Sequence, residues 1–144
     1  METNDDVTGT LVLVHPELSD DPVQKQGQSG MITFADPGND EFFVSFGKET
    51  ALYSSDALLA FKQPNAIYDG LLANIKNLDK QEIKDLYRIG MLLDSRQPKD
   101  QKLAMDMVLA NPKIREYTLQ SLEEKLGPMI GAEATHDIST SRGR

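Results

Sequence analysis

The chain has 144 residues, 39% hydrophobic and 26% charged, a composition ordinary for one or two small globular domains. It has no cysteine, which excludes a disulfide scaffold, a thiol nucleophile and cysteine-ligated zinc, and fits a reducing compartment. Its net charge of −8 lies in residues 1–62, where 11 acids face 3 bases, whereas residues 63–144 hold 12 of each.

Residues 1–9 begin with Met1-Glu2-Thr3-Asn4-Asp5-Asp6, acidic and polar, the opposite of a signal peptide, and are expected to form a disordered arm. Residues 10–15 read as a first strand. Its aliphatic run Leu11–Val14 is the longest in the chain and far too short to span a bilayer, so a cytoplasmic location with no membrane contact is expected. Pro16 stops this strand, because proline cannot donate to a ladder. A long polar loop follows over residues 17–29, carrying Asp20, Asp21 and Pro22. Gly30 then marks a bulge or a close backbone approach.

Residues 31–35 are β-branched and aromatic and suit a second strand. Asp36-Pro37-Gly38-Asn39-Asp40 is a dense turn sequence. In the third strand, residues 41–46, Phe42, Val44 and Phe46 share one face at period two, and Phe43 and Ser45 share the other. A second turn at 47–50 leads to a strand at 51–53. The polar turn Ser54-Ser55-Asp56 leads to a last strand at 58–61.

At Gln63-Pro64-Asn65 the apolar period changes from two to about 3.6. A helix is expected over residues 66–77, capped by Asn65, with Ile67, Leu71 and Ile75 in one stripe. Asp79-Lys80-Gln81-Glu82 has the form of a capping box opening a second helix over 80–94, with Ile83, Leu86, Tyr87 and Gly90 inward. A third helix is expected over 99–110 with Leu103, Met107 and Ala110 at helical spacing. Met105 and Met107 cannot both face one core, being about 200° apart. Asn111-Pro112 restarts the chain as a fourth helix over 112–126, with Ile114, Tyr117 or Thr118, Leu122 and Leu126 inward, ended by Gly127-Pro128. Residues 128–144 are small and polar and are expected to be a disordered tail.

The first half resembles SH3-like barrels of the KOW and Tudor type over residues 10–62. The resemblance rests on the Leu11-Val12-Leu13-Val14 strand, the long loop, Gly30 leading into Met31-Ile32, the turn into Phe42-Phe43-Val44-Ser45-Phe46, and the final Leu52-Tyr53-Ser54-Ser55-Asp56-Ala57-Leu58. It implies an α+β protein: an N-terminal antiparallel β-barrel followed by a helical domain over 65–127. It also implies a docking module without catalysis. KOW-type barrels often contact RNA or ribosomes, whereas this half is acidic and its field repels phosphate backbones. Tudor-type barrels hold methylated side chains in aromatic cages, and here only Phe43 and Tyr53 are placed as outward aromatics.

No arrangement for chemistry stands out. A metal site of His15, Asp20 and Asp21 matches no ligand spacing, and His136 lies in the tail. The 36–41 acids lack the order of a calcium loop. Gly27-Gln28-Ser29-Gly30 lacks the Lys-Ser/Thr of a phosphate loop, and Ser54-Ser55-Asp56 lacks the surroundings of a nucleophile. No cofactor or metal is therefore expected. The expected function is that of a protein-interaction or adaptor module with a basic protein or peptide partner. Phe43, Tyr53, Asp20 and Asp21 are the expected contact residues, in and beside the 17–29 loop. The alternative is a ribosome- or RNA-associated accessory factor, which requires a basic patch among Lys76, Lys80, Lys84 and Arg88.

Overall fold

The computed structural model describes residues 7–19, 21 and 23–130. These form two compact units, one of residues 7–60 with 121–130 and one of residues 61–120. The α+β class holds, but the sheet does not close into a barrel. The strands β1 (Leu11–Val14), β2 (Ser29–Asp36), β3 (Glu41–Ser45), β4 (Thr50–Tyr53), β5 (Leu58–Phe61) and β6 (Leu119–Ser121) form one sheet in the order β4-β3-β2-β1-β5-β6. Closure would bring β5 to β4. Instead β6 takes that side of β5, and β4 is left as an open edge.

Within the first unit the alternation dictates the core. Phe42 and Val44 turn inward and meet Val12, Val14, Ile32, Ala35, Leu58 and Ala60, all fully buried. Register follows from these side chains: Ile32 stands opposite Val44 and Ala35 opposite Phe42. Gly30 is a site of close approach. A Cβ there would lie 2.6 Å from Val44 Cγ1, 2.8 Å from the Ser45 carbonyl and 2.9 Å from Phe46 Cδ1. The bulge lies further along, between Ile32 and Phe34.

Both ends of the described chain join this core, against expectation. Val7 is buried, and the Gly9 N–H donates to the Ile32 carbonyl at 2.8 Å, so residues 7–9 are not a loose arm. The helix α5 (Leu122–Leu126; helices are numbered from Pro64 onward) buries Leu122 in the same cluster, with Leu126 and Ile130 packed against it. Val7 and Ile130 are single apolar residues in polar stretches and carry no periodicity, and the helical stripe that holds Leu122 and Leu126 does not say which core it joins. The rest of the expected arm and tail, residues 1–6 and 131–144 with His136, lies outside the described residues.

The second unit contains α1 (Pro64–Ala73), α2 (Lys80–Asp94), α3 (Pro98–Ala110) and α4 (Arg115–Thr118). α1 packs on α2 and α2 on α3, and α4 touches all three. Ile67, Leu71, Leu86, Ile89, Leu93, Ala104, Met105, Val108 and Ile114 are buried. The capping box is present: Asp79 Oδ1 accepts from the Glu82 amide at 2.7 Å, and Glu82 Oε1 from the Asp79 amide at 2.9 Å. Met105 is fully buried and Met107 half-buried, as two positions so far apart on a helix require.

Three helical expectations fail for local reasons. α1 starts at Pro64, after Gln63, and stops at Ala73, where the Asn74 Nδ2 donates back to the Gly70 carbonyl at 2.8 Å. Ile75 therefore leaves the stripe and is exposed. On α2 the buried set is Leu86, Ile89, Gly90 and Leu93, which turns Tyr87 outward, and on α3 Leu103 is likewise exposed. The single fourth helix breaks at Thr118, whose Oγ1 donates to the Ile114 and Arg115 carbonyls. This back-bonding competes with helix propagation. The chain extends as β6 and restarts at Ser121, whose Oγ accepts from the Glu124 amide at 3.0 Å. Ser121-Leu122-Glu123-Glu124 has the Ser-x-x-Glu spacing of a helix start, which the apolar period alone overrides. Among the described residues no helix is long and apolar enough to cross a membrane.

Two glycines give opposite expectations. Gly30→Ala should destabilise the chain by about 1–3 kcal/mol, because the new methyl meets backbone and packed side chains. Gly70→Ala, where a Cβ meets nothing within 4 Å, should stabilise it by about 1 kcal/mol through helix propensity. Urea denaturation of the two variants beside the parent chain checks both signs.

Candidate functional site

The face of the β2–β3–β4 sheet opposite the core is the site of interest. Period-two alternation sends Phe43 and Glu41 of β3 to this face, and Leu52 and Thr50 of β4. The bulge after Ile32 places Thr33 and Phe34 both outward, and the next inward residue is Ala35. The result is a cross-strand row. Phe34 stands opposite Phe43, and Phe43 opposite Leu52. The Phe34 and Phe43 rings meet edge to face with centroids 5.8 Å apart. Phe34 is 53% exposed and Leu52 51%, while Phe43 between them is half-buried. Met31, also exposed, extends the apolar surface on β2.

Beside this row, Asp36 stands opposite Glu41 on the same face. Two carboxylates directly opposite one another on a strand pair repel and cost stability. Asp36 Oδ2 accepts from Asn39 Nδ2 at 2.8 Å, and among the described residues neither acid forms an ion pair. The row ends at β4, the open edge of the sheet.

Of the three expected contact residues that are described, Phe43 alone lies on this face. Tyr53 is the opposite case. It stands in β4 next to Leu52 and is buried in the core, with its ring edge to face against Phe46, centroids 6.3 Å apart. Its hydroxyl donates to Asp21 Oδ2 at 2.8 Å. Asp21 is buried as well, and its carboxylate also accepts from the Val23 amide at 3.1 Å and the Lys25 amide at 2.9 Å. Asp20 lies outside the described residues. The two missed residues are Phe34, which strict alternation from Ile32 would turn inward, and Leu52, which loses the inward position to Tyr53.

The expected recognition loop is thus held down. Besides the three bonds to Asp21, the Gly27 N–H donates to the Val14 carbonyl at 2.9 Å and Gln26 Nε2 to the Leu18 carbonyl at 3.0 Å. Lys25 Nζ pairs with Glu49 at 2.5 Å and stands 5.6 Å from the centroid of the Phe46 ring. His15 Nδ1 accepts from the Glu17 amide at 3.1 Å. Among the described residues no group of three or more His, Asp and Glu side chains is placed to hold a metal ion. No family model, curated protein or solved structure matches the chain.

Burial pushes the Asp21 carboxyl up, but the hydrogen bonds from the Lys25 amide, Tyr53 and Val23 outweigh it and hold the group below its ordinary value. Burial and the bond to Asp21 both push the Tyr53 phenol up. A lowered carboxyl contributes stability that is present above its unfolded-state value and lost as pH falls through the folded value. The raised phenol contributes stability present below its unfolded-state value and lost as pH rises through the folded one. Tyr53→Phe removes the link and should cost about 1.5–3 kcal/mol at neutral pH, the range for hydrogen bonds to charged groups. The variant should also lose less stability than the parent between neutral pH and pH 3. Urea denaturation across that range measures both effects.

Proposed function

We propose that the chain is a non-enzymatic protein-interaction module that receives a basic, extended segment of a partner protein along β4 and over the adjoining sheet face. The observation that carries this reading is the exposed row Phe34–Phe43–Leu52, flanked by the Asp36–Glu41 pair and ending at an open sheet edge. An open edge presents unpaired N–H and C=O groups, and an extended segment pairs with them as an added strand. Its outward apolar side chains then lie beside Leu52 and continue the row. β3 is about 10 Å from such a strand, two strand spacings. That distance is within the joint reach of a lysine and Glu41. A cation there removes the repulsion between Asp36 and Glu41. The resemblance of residues 10–62 to SH3-like docking modules supports the same class of function.

The reading as a ribosome- or RNA-associated factor needs a contiguous basic patch. Lys80, Lys84 and Arg88 do share one stripe of α2 at i, i+4 spacing. Exposed Tyr87 and Met91 interrupt that stripe, and the chain as a whole carries −8, so protein is the favoured partner.

Titration of the isotope-labelled full chain with a synthetic peptide of alternating Lys and Val tests the proposal by NMR. The amides of β4 and of Glu41 and Phe43 should shift. Glu41→Lys should weaken binding about threefold to tenfold, as loss of a partly exposed charge pair does. An unperturbed β4, or a Glu41→Lys variant that binds equally well, would refute the proposal. In an electrophoretic shift assay at moderate salt, RNA should give no complex.

A further inference from the structure

The helical unit has its own exposed apolar face, and its charge has the opposite sign. Residues 61–120 contain ten Lys and Arg against eight Asp and Glu, a net +2, while the remaining residues carry −10. On α2 the bases are segregated. At 100° per residue, Lys80, Lys84, Tyr87, Arg88 and Met91 fall on one stripe, all exposed, and Glu82 and Asp85 fall on another. Tyr87 is 56% exposed and Met91 52%.

α1 widens this stripe into a surface. Tyr68 of α1 packs against Gly90 and meets the Tyr87 ring with centroids 5.8 Å apart. One turn along α1, Leu72 is 67% exposed, and Lys76 in the connection to α2 is also exposed. Asp69 and Asp94 stand at the rim, the latter accepting from the Tyr68 hydroxyl at 3.5 Å. Among the described residues, Lys76, Lys80, Lys84 and Arg88 form no ion pair.

We infer that this face of the α1–α2 hairpin docks an acidic amphipathic segment of a partner protein, whose carboxylates meet Lys80, Lys84 and Arg88 while its apolar side chains cover Leu72, Tyr87 and Met91. Apolar side chains more than half exposed call for an apolar counterpart, and interleaved cations call for carboxylates beside it. A nucleic acid or an anionic bilayer presents an extended negative field that a chain of net charge −8 meets with repulsion. A short segment presents only a few carboxylates, matched one by one. The inference is independent of the sheet-face proposal, because it concerns other residues and a partner of opposite charge.

The probe is a fluorescently labelled helical peptide with Glu on its polar positions and Leu on one face, compared with a peptide bearing Lys at every Glu. Full-length chain is titrated into each and anisotropy is read, with circular dichroism confirming that every variant folds. The acidic peptide should bind and the basic one should not bind at this face. The double substitution Lys84→Glu and Arg88→Glu should weaken binding about tenfold or more. Met91→Ser should weaken it about threefold, and Glu41→Lys on the sheet should leave it unchanged. Absence of binding, equal response to the Lys84 and Arg88 variant, or loss with Glu41→Lys would overturn the inference. So would self-association of the free chain, seen by light scattering and abolished by the double variant, which would make a second copy the occupant. Sedimentation with phosphatidylglycerol vesicles that the double variant abolishes would overturn it in favour of a lipid surface.

Discussion

The hydrogen bond from Tyr53 to Asp21 sets the orientation of β4, and with it the character of a whole sheet face. Successive strand residues point to opposite sides, so a tyrosine turned inward turns its neighbour Leu52 outward. Phenol burial without a partner is costly, and Asp21 supplies the acceptor inside the first unit. Asp21 in turn is held ionised by the Lys25 and Val23 amides of its own loop. One carboxylate thus folds the 17–28 loop, satisfies a core phenol and exposes a leucine on the far side of the sheet. The described part of the loop is a structural strap.

Much of this architecture could be read from the residues. Turn chemistry located the β2–β3 and β3–β4 hairpins, and period two assigned Phe42 and Val44 to the core. The Asp79–Glu82 box placed the start of α2. What escaped has specific physical causes. Tyr53 looked like a surface aromatic because its buried partner lies 32 positions away. The bulge between Ile32 and Phe34 moved an aromatic across the sheet by one inserted residue, which no alternation count registers. β6 was hidden inside an apolar helical period, and only Thr118 back-bonding and Ser121 capping reveal the interruption. Of the surface we assign to binding, Phe43 alone was legible, since Phe34 and Leu52 owe their exposure to these two displacements.

Charge is the second organising quantity. Counted along the sequence, the second half is neutral. Counted by compact unit, residues 61–120 carry +2 and the rest of the sequence −10, because the chain crosses back into the first unit at Ser121. Helical periodicity then concentrates the bases of α2 on one side. Two surfaces of opposite sign, each with apolar side chains in the middle, are the basis of the two partner classes we propose.

The helical unit interrupts the sheet unit in sequence, and its own ends are joined. The Lys62 N–H donates to the Thr118 carbonyl at 2.9 Å, and Lys62 Nζ to the Glu116 carbonyl at 2.9 Å. A module whose entry and exit strands meet has the anatomy of an inserted domain, which a host tolerates because the host chain is parted by only a small gap. Synthesis order makes the host pay in waiting time. Val12, Val14 and Leu58 emerge early from the ribosome, yet Leu122, which shares their cluster, follows only after the whole insert has been made. The insert can close on local contacts meanwhile, so of the two units the one that is entered earlier in synthesis is the one completed later.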